Sequence, residues 1–268
     1  MTVGSTRRRL AIIAGVGSVI YDQVGRHYAA RRETDPRIAA AIDRALGDAR
    51  SVLNVGAGTG SYEPEGREVI AIEPSAVMIA QRPPRSAPVI QASAEALPLD
   101  DESVDAAMAI LSDHHWRDRA AGLREMLRVA RKRVLVVNME PAMAERFWLT
   151  RDYLPAFMDL VPQRYREHGY WSSELAGLLG DAKIDTLPVP HDCHDGFYQA
   201  YWRRPDAYLD ETVQQSISVF HSLSADAVHS GLERLRADLD DGFWQNRNGD
   251  LLDRQDLDLG MRLALCNL

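Results

Sequence analysis

Residues 52–60 read Val-Leu-Asn-Val-Gly-Ala-Gly-Thr-Gly, a short apolar strand that runs into three alternating glycines. A second apolar run follows at residues 69–72 and ends in Glu73. Gly56, Gly58 and Gly60 allow the backbone to turn tightly and to approach a ligand where a Cβ would clash. An acid at the end of the next strand can accept hydrogen bonds from both hydroxyls of a ribose. These two features together predict a ligand that contains a nucleoside.

The spacing of the glycines argues against a dinucleotide. The dinucleotide fingerprint is G-x-G-x-x-G followed by a helix that receives a pyrophosphate, whereas the third position counted from Gly56 is Ser61. Only residues 61–68 separate the glycines from the second strand, and a crossover with its helix usually takes at least about 10–12 residues. A nucleoside without phosphate needs no such helix, and S-adenosylmethionine is a ligand of that kind.

Four segments in order resemble the class I S-adenosylmethionine-dependent methyltransferases (type 11), in particular the small-molecule branch that includes ubiquinone and menaquinone biosynthesis enzymes. They are residues 54–60, 71–75, 92–99 and 104–112, the last leading to His114, His115 and Trp116. The resemblance spans residues 21–138 and implies S-adenosylmethionine as cofactor, with S-adenosylhomocysteine as product. It places these residues at the cofactor: Tyr21, Asn54, Gly56, Ala57, Gly58, Gly60, Glu73, Pro74, Ala94, Glu95 and Leu111. The short crossover departs from the family pattern.

The order of patterns predicts an α/β fold with a Rossmann-like, doubly wound sheet. Continuous apolar runs predict buried strands at 52–55, 69–72, 89–92, 105–111, 133–139, 183–189 and 261–266. The resemblance implies a mostly parallel seven-stranded sheet with an antiparallel last strand. Helical spacing is found at 19–30, 36–46, 75–81, 118–131, 142–158, 172–179 and 213–239, with a further helical start at 205–208.

One globular unit with four parts is expected from these elements. Residues 1–50 would form entrance or lid helices, 51–140 the cofactor-binding core and 141–180 cap helices. Residues 181–268 would supply the last two strands, with a helical insertion at 191–259.

Composition narrows the possible partners and the compartment. The chain has 31 basic and 39 acidic residues, a net charge of -8, which disfavours nucleic acid as a partner. A small molecule is the expected substrate, and a homodimer is left open. Cys193 and Cys266 are far apart and suggest no disulfide framework, which favours a reducing cytoplasm. Arg7-Arg8-Arg9 and the apolar run after them resemble an export signal, but the run is short, so no membrane association is expected.

Methyl transfer depends mainly on orientation, worth about 7–11 kcal/mol in well-held cases, and the protein can add a base that removes a proton from the acceptor. His114 and His115 follow the fourth strand, and either is a candidate catalytic base. The alternative is that they bind loop backbone and shape the pocket. Substrate contacts are expected from His115, Trp116, Trp148, Tyr198, Tyr201 and Trp202. For the aromatic residues after position 196, ordinary packing is the favoured interpretation.

Three further groups of polar residues each allow two roles. Residues 191–195, His-Asp-Cys-His-Asp, contain five residues of metal-binding type, but neighbours on an extended chain point to opposite faces. No metal is therefore predicted, and substrate contact or loop hydrogen bonding is expected. Arg31 and Arg32 either pair with the methionine carboxylate or lie on a solvated helix face, the second being favoured. Glu95 is expected either at the adenine or at a helix cap.

The sequence also allows three functions other than methyl transfer. A protein of this pattern could use the sulfonium to promote a cyclisation without methyl transfer. A nicotinamide-dependent oxidoreductase is disfavoured by Ser61 and the short crossover. A regulatory module that senses the cofactor is a further alternative.

Overall fold

The computed structural model describes residues 32–268 of the chain. Within them a seven-stranded sheet is formed by β1 (Ser51–Val55), β2 (Glu68–Ile72), β3 (Val89–Ile90), β4 (Val104–Ile110), β5 (Ala130–Met139), β6 (Lys183–Thr186) and β9 (Met261–Asn267). The strand order is β3-β2-β1-β4-β5-β9-β6. The first five strands pair in parallel, and β9 runs antiparallel to both β5 and β6. The predicted mixed, doubly wound sheet is confirmed.

Helices cover both faces of this sheet. They are α1 (Pro36–Leu46), α2 (Ala76–Ala80), α3 (Arg119–Val129), α4 (Tyr170–Leu179), α5 (Glu211–Ser216), α6 (Ser218–Ser222), α7 (Ala225–Asp240) and α8 (Phe243–Asn248). Helices α3 and α4 share one core with Leu53 and Val55 of β1, whereas α1 and the segment after β6 share the other core with Val52. Alternate residues of the buried strands therefore belong to opposite layers, as expected for a parallel sheet covered on both sides.

The crossover from β1 to β2 contains turns and no helix, as its length predicted. The backbone N–H groups of Gly56 and Ala57 both donate to the carbonyl of Ile72, at 2.8 and 2.9 Å. These two bonds tie the start of the glycine loop to the end of β2. The loop is thereby fixed beside Glu73, the residue that follows β2.

Several predicted boundaries were wrong, and prolines explain two of them. The expected helix at 142–158 is instead a 3-10 turn (Pro141–Arg146), a π-helical turn (Leu149–Tyr153) and a second 3-10 turn (Pro155–Asp159), because a proline disfavours helical backbone at the residue before it. The sixth strand ends at Thr186, since Pro188 has no N–H to donate to a ladder. Beyond it, β7 (Val189–Pro190) pairs with β8 (Asp256–Leu257) in a separate two-stranded sheet.

Other differences concern length. The third strand ends at Ile90, and the helical region 213–239 is divided into α5, α6 and α7. The helix α8 and a 3-10 turn at Gly249–Asp253 were not predicted. The predicted helix at 19–30 lies outside the described residues. Among residues 32–268, no helix has the length and apolar content needed to cross a membrane.

Candidate active site

A cavity of about 780 Å³ lies at the carboxyl ends of β1, β2 and β4. Of the predicted cofactor residues within the described part, all but Gly60 line it: Asn54, Gly56, Ala57, Gly58, Glu73, Pro74, Ala94, Glu95 and Leu111. Gly60 faces the side chains of Ser86, Arg82 and Glu63 instead. Tyr21 lies outside the described residues. The fold thus brings residues that are far apart in sequence to one site. We call this site the first cavity.

The glycine loop approaches the neighbouring strand too closely for a side chain at its first position. Gly56 has a φ of 72°, and a Cβ built on it would lie 2.7 Å from the Cβ of Ser112 and 2.8 Å from its Oγ. The Ser112 hydroxyl is itself fixed, because it donates to the carbonyl of Val55 at 2.8 Å. Gly56 therefore leaves backbone, with no side chain, on the wall of the first cavity.

Glu73 is held in place by the same loop. One carboxylate oxygen accepts from the N–H of Gly58 at 2.8 Å and the other from the N–H of Ser75 at 2.9 Å. The residue is only 7% exposed. A carboxylate presents two oxygens with two lone pairs each, which is the acceptor chemistry that neighbouring ribose hydroxyls require. The carboxylate is fixed before any ligand arrives.

Asn54 contributes an unsatisfied donor to this cavity. Its side chain is 2% exposed, and its Nδ2 has no hydrogen-bond partner among the described residues. A buried donor without a partner costs about 1–3 kcal/mol. A ligand with an acceptor atom at this position would remove that cost.

Ala94 and Glu95 line a further part of the first cavity. One oxygen of Glu95 accepts from the backbone N–H groups of Arg117 and Asp118, at 2.7 and 3.1 Å. These groups precede α3, so Glu95 both lines the cavity and fixes the segment that leads into this helix. Trp116 closes this side, and Gly122 of α3 makes room for it, because a Cβ there would lie 2.5 Å from the indole ring.

A second cavity, of about 350 Å³, adjoins the first. The two share the lining residues Arg32, Leu111, His115, Trp116 and Arg117. Leu111 at this junction has a φ of 52°, a left-handed conformation that costs a residue with a Cβ roughly 1–2 kcal/mol. Its N–H is bonded to the carbonyl of Val137 at 2.7 Å, so the sheet holds the strained residue where the cavities meet.

The two histidines differ in position and in hydrogen bonding. Their ring centroids are 3.7 Å apart; His115 lines both cavities and His114 only the second. The Nδ1 of His114 lies 2.7 Å from the Nδ2 of Asn138. The orientation of that amide is fixed because its Oδ1 accepts from the N–H of Met139 and its Nδ2 also donates to Asp113. Nδ1 of His114 is therefore an acceptor, and its proton resides on Nε2.

Both imidazoles are neutral at physiological pH. Burial lowers the pKa of His114 to about 4, with Asp113 opposing the shift and Arg119 adding to it. Burial and the neighbouring His114 ring lower the pKa of His115 well below its usual value. A neutral imidazole can accept a proton without first losing one. His114, with its proton on Nε2, lines the second cavity.

Not all the predicted substrate residues reach a cavity. Tyr198 and Trp116 line the second cavity, whereas Trp148, Tyr201 and Trp202 line neither. The indole of Trp148 donates to the carbonyl of Trp202, whose own indole donates to the carbonyls of Val189 and Pro190. These three aromatic side chains are less than 10% exposed and pack in the core. The placement of Tyr201 and Trp202 matches the packing interpretation. For Trp148, as for these two, neither cavity supports the predicted substrate contact.

An ion pair that the sequence did not reveal closes the side of the site. Asp195, which is fully buried, accepts from Nε of Arg32 at 2.5 Å and from the hydroxyl of Tyr62 at 3.0 Å. The favoured interpretation of Arg32 as solvated was wrong, since its side chain is 11% exposed and lines both cavities. The pairing joins residues 163 positions apart, and no local pattern announces it.

The other members of the 191–195 cluster diverge. Asp192 pairs with Arg37, the backbone N–H of His194 donates to Asp35, and His191 contacts the carbonyl of Gln255. Cys193 is buried and directed at the backbone carbonyl of Asp195. Hydrogen bonding between segments is therefore what this run does, in agreement with the loop interpretation.

Comparison with known proteins agrees with this geometry. A model of the methyltransferase domain family matches residues 53–138. An uncharacterized methyltransferase of Mycobacterium tuberculosis is 37% identical over 186 residues, 64% of this chain and 66% of that protein. The chain thus spans slightly less than two thirds of the length of this relative. The crystal structure of a putative methyltransferase from an antibiotic biosynthesis pathway of Anabaena variabilis is 32% identical, with a TM-score of 0.80, over 89% of this chain and 99% of that one.

The chain belongs to the S-adenosylmethionine-dependent methyltransferases. The cofactor implied by this family fits the first cavity on two observations. Gly56 lines the cavity as bare backbone, because Ser112 leaves no room for a Cβ there, and the Asn54 amide has an unused buried donor. The absence of a helix between β1 and β2 also suits a nucleoside without phosphate.

Proposed function

We propose that this methyltransferase transfers a methyl group from S-adenosylmethionine to a small molecule held in the second cavity. The single observation that carries the proposal is the junction, where Leu111, His115 and Trp116 line both cavities. A donor in the first cavity and an acceptor in the second would meet there. In-line displacement requires this arrangement, because the acceptor atom must approach the methyl carbon opposite the sulfur.

Different residues of the first cavity would contact different parts of the cofactor. Glu73 would accept from the ribose hydroxyls, Gly56 and Gly58 would lie against the methionine part, and Ala94 and Glu95 would address the adenine. Asn54 would donate to an acceptor atom of the ligand. The cofactor supplies an electrophilic methyl on a sulfonium; the protein supplies position and excludes water.

His115 is the better of the two candidate bases. It lines both cavities and so lies at their junction, whereas His114 lines only the second. Burial lowers the pKa of His115, so its ring is neutral and has a nitrogen that can accept a proton, although with less driving force than a free imidazole. It would take the proton of a hydroxyl or acidic carbon as the methyl group is transferred. The new bond forms between the acceptor atom and the methyl carbon, the sulfur–methyl bond breaks, and the proton passes to the imidazole.

We also infer a small-molecule substrate from specialised metabolism and a cytoplasmic location. The net charge of -8 supports a small molecule over a nucleic acid. The Anabaena relative, assigned to an antibiotic biosynthesis pathway, supports specialised metabolism. Cys193 and Cys266 are free and buried, and burial raises the pKa of the Cys193 thiol to about 12, which suits thiols kept reduced.

The test is transfer of a labelled methyl group from S-adenosylmethionine into a metabolite extract. We expect one or a few labelled small products with the wild-type protein and fewer with His115→Gln. The matched control is His229→Gln on α7, which lines neither cavity and should leave labelling unchanged. Binding of the cofactor with no labelled product in any extract would instead favour a cyclisation or other reaction without methyl transfer.

A further inference from the structure

The carboxylates beside His114 in the second cavity already have partners. Asp113 accepts from Asn138 with one oxygen and from Nε of Arg119, at 2.8 Å, with the other. Glu140 accepts from the N–H of Trp171 with one oxygen and from Ser172 with the other. All four carboxylate oxygens of these two acids therefore already accept hydrogen bonds from the protein.

Two buried hydrogen-bond donors that line this cavity have no partner among the described residues. They are one terminal nitrogen of Arg119 and the indole N–H of Trp171. The Cζ of Arg119 lies 5.1 Å from the centroid of the Trp171 ring, so the two donors are neighbours. His114, whose Nδ1 is bonded to Asn138, lines the same cavity. Burying a donor without a partner costs about 1–3 kcal/mol. A ligand that brings acceptor oxygens to these donors would offset the cost.

The exposed cations of the cavity point to an anion. Four arginines and two acids, Asp113 and Glu140, line the cavity. Arg32 is paired with Asp195, and Arg119 with Asp113 and Glu174, which leaves Arg117 and Arg164 as the exposed cations of the lining. Arg164 is exposed at the rim; its Cζ lies 4.8 Å from the Tyr165 ring centroid, and no carboxylate pairs with it among residues 32–268. A cation at the mouth and unused donors inside favour entry of a negatively charged ligand. Gln199 and Ser218 add neutral groups that can either donate or accept.

Aromatic side chains form another part of the lining of the second cavity, and two of their rings are stacked. Phe157 and Tyr198 stack with ring centroids 5.1 Å apart and an interplanar angle of 23°. Trp116, Tyr165 and Phe197 complete this lining. Aromatic side chains favour offset-stacked or edge contacts with other rings. The volume of about 350 Å³ suits a molecule of one or two fused rings.

We propose that the methyl acceptor is a planar aromatic acid, with its carboxylate toward His114, Arg119 and Trp171 and its ring against Phe157 and Tyr198. This inference rests on the proposed function and specifies its substrate class. His114 is then a positioning residue that donates to the substrate, and His115 remains at the junction with the cofactor.

Isothermal titration calorimetry with 2-naphthoate and the neutral isostere 2-naphthamide tests the proposal. The protein is first titrated with S-adenosylhomocysteine and then, saturated with it, with each probe at pH 7.5. We expect the carboxylate to bind at least about tenfold more tightly than the amide, since hydrogen bonds to charged groups exceed neutral ones by about 1.4 kcal/mol or more.

Two variants locate the effect. Trp171→Phe removes the indole donor and keeps an aromatic ring, and it should reduce the preference for the carboxylate by at least about threefold, because the amide loses a weaker, neutral hydrogen bond. Arg164→Gln should weaken carboxylate binding and flatten its salt dependence. Arg146→Gln, an exposed arginine outside the cavity lining, is the matched control and should behave as wild type. Circular dichroism and thermal melting check that each variant folds.

The outcomes separate the two levels of the proposal. Failure to bind S-adenosylhomocysteine would overturn the proposed function. Binding of S-adenosylhomocysteine with equal affinity for both probes, with tighter binding of the amide, or with binding of neither probe, would overturn the aromatic-acid assignment alone. A carboxylate preference that survives in both Trp171→Phe and Arg164→Gln would overturn the residues assigned to it.

Discussion

Replacing Gly56 by alanine should damage the cofactor site more than an ordinary glycine substitution. The residue has a φ of 72°, and its new Cβ would lie 2.7 Å from the Cβ of Ser112. The left-handed backbone alone costs a residue with a Cβ about 1–2 kcal/mol. Relieving the clash means moving Ser112, whose hydrogen bond to Val55 contributes about 1 kcal/mol. The sum, about 2–3 kcal/mol, corresponds to roughly a 30- to 150-fold change in an equilibrium constant.

The matched control for this experiment is Gly66→Ala. Gly66 has nearly the same φ, 74°, but nothing lies within 4 Å of a Cβ built on it. It therefore reports the backbone strain without the clash. Calorimetric titration with S-adenosylhomocysteine and urea denaturation of both variants separate the two contributions. We expect Gly56→Ala to lose at least about tenfold more affinity than Gly66→Ala, or to be less stable by more than about 1 kcal/mol. Equal affinity and equal stability of the two variants would refute the reasoning.

Three further changes test other parts of the molecule. Asp195→Asn should lower the free energy of unfolding by about 3–5 kcal/mol in urea, because it removes the buried carboxylate charge that pairs with Arg32. Glu233→Gln, in an exposed pair, should cost under about 1 kcal/mol. A loss below about 1 kcal/mol for Asp195→Asn would contradict the buried pair. The pKa of His114, about 4 in the folded state and about 6.5 unfolded, means that stability is full above pH 6.5 and falls toward pH 4 by up to about 1.4 kcal/mol per unit. Denaturation across this range should show a shallower slope in His114→Gln, and an unchanged slope would count against the assignment. Trp148→Phe should lower the melting temperature but leave the KM for an acceptor unchanged, and a raised KM would place this indole at the substrate.

The parts of the fold that the sequence predicted are those decided by local pattern. The alternating glycines after β1, the acid after β2 and the short crossover each depend on neighbouring residues, and the structure brings them together as expected. The helix α1 begins and ends where its capping Asp35 and its apolar spacing placed it. Local signals of this kind act before tertiary contacts are made.

The parts that the sequence could not predict depend on contacts between distant segments. The pairing of Arg32 with Asp195 needs the fold to place both beside Tyr62. The core location of Trp148 depends on Trp202, which supplies the acceptor for its indole. In the predicted cap helices, an aromatic residue occurs at the same helical spacing whether it faces a cavity or the core, so periodicity does not distinguish the two locations.

The role of Asn138 shows a third kind of limit. Its position at the end of β5 is apparent from the apolar run, but its effect on His114 depends on the orientation of an amide group. That orientation follows from the N–H of Met139 and the carboxylate of Asp113. Such contacts fix the tautomer of a histidine. They cannot be seen in the sequence, so the sequence alone does not distinguish His114 from His115 as a candidate base.

The measurement that tests the central claim most directly is the affinity of S-adenosylhomocysteine for the wild-type protein, Glu73→Ala and Glu68→Ala, determined by calorimetry. Glu73 faces the first cavity, whereas Glu68 is exposed at the start of β2. If Glu73 anchors the ribose, its replacement should weaken binding by at least about tenfold, and Glu68→Ala should bind as the wild type does. Unchanged affinity in a folded Glu73→Ala variant would contradict the account.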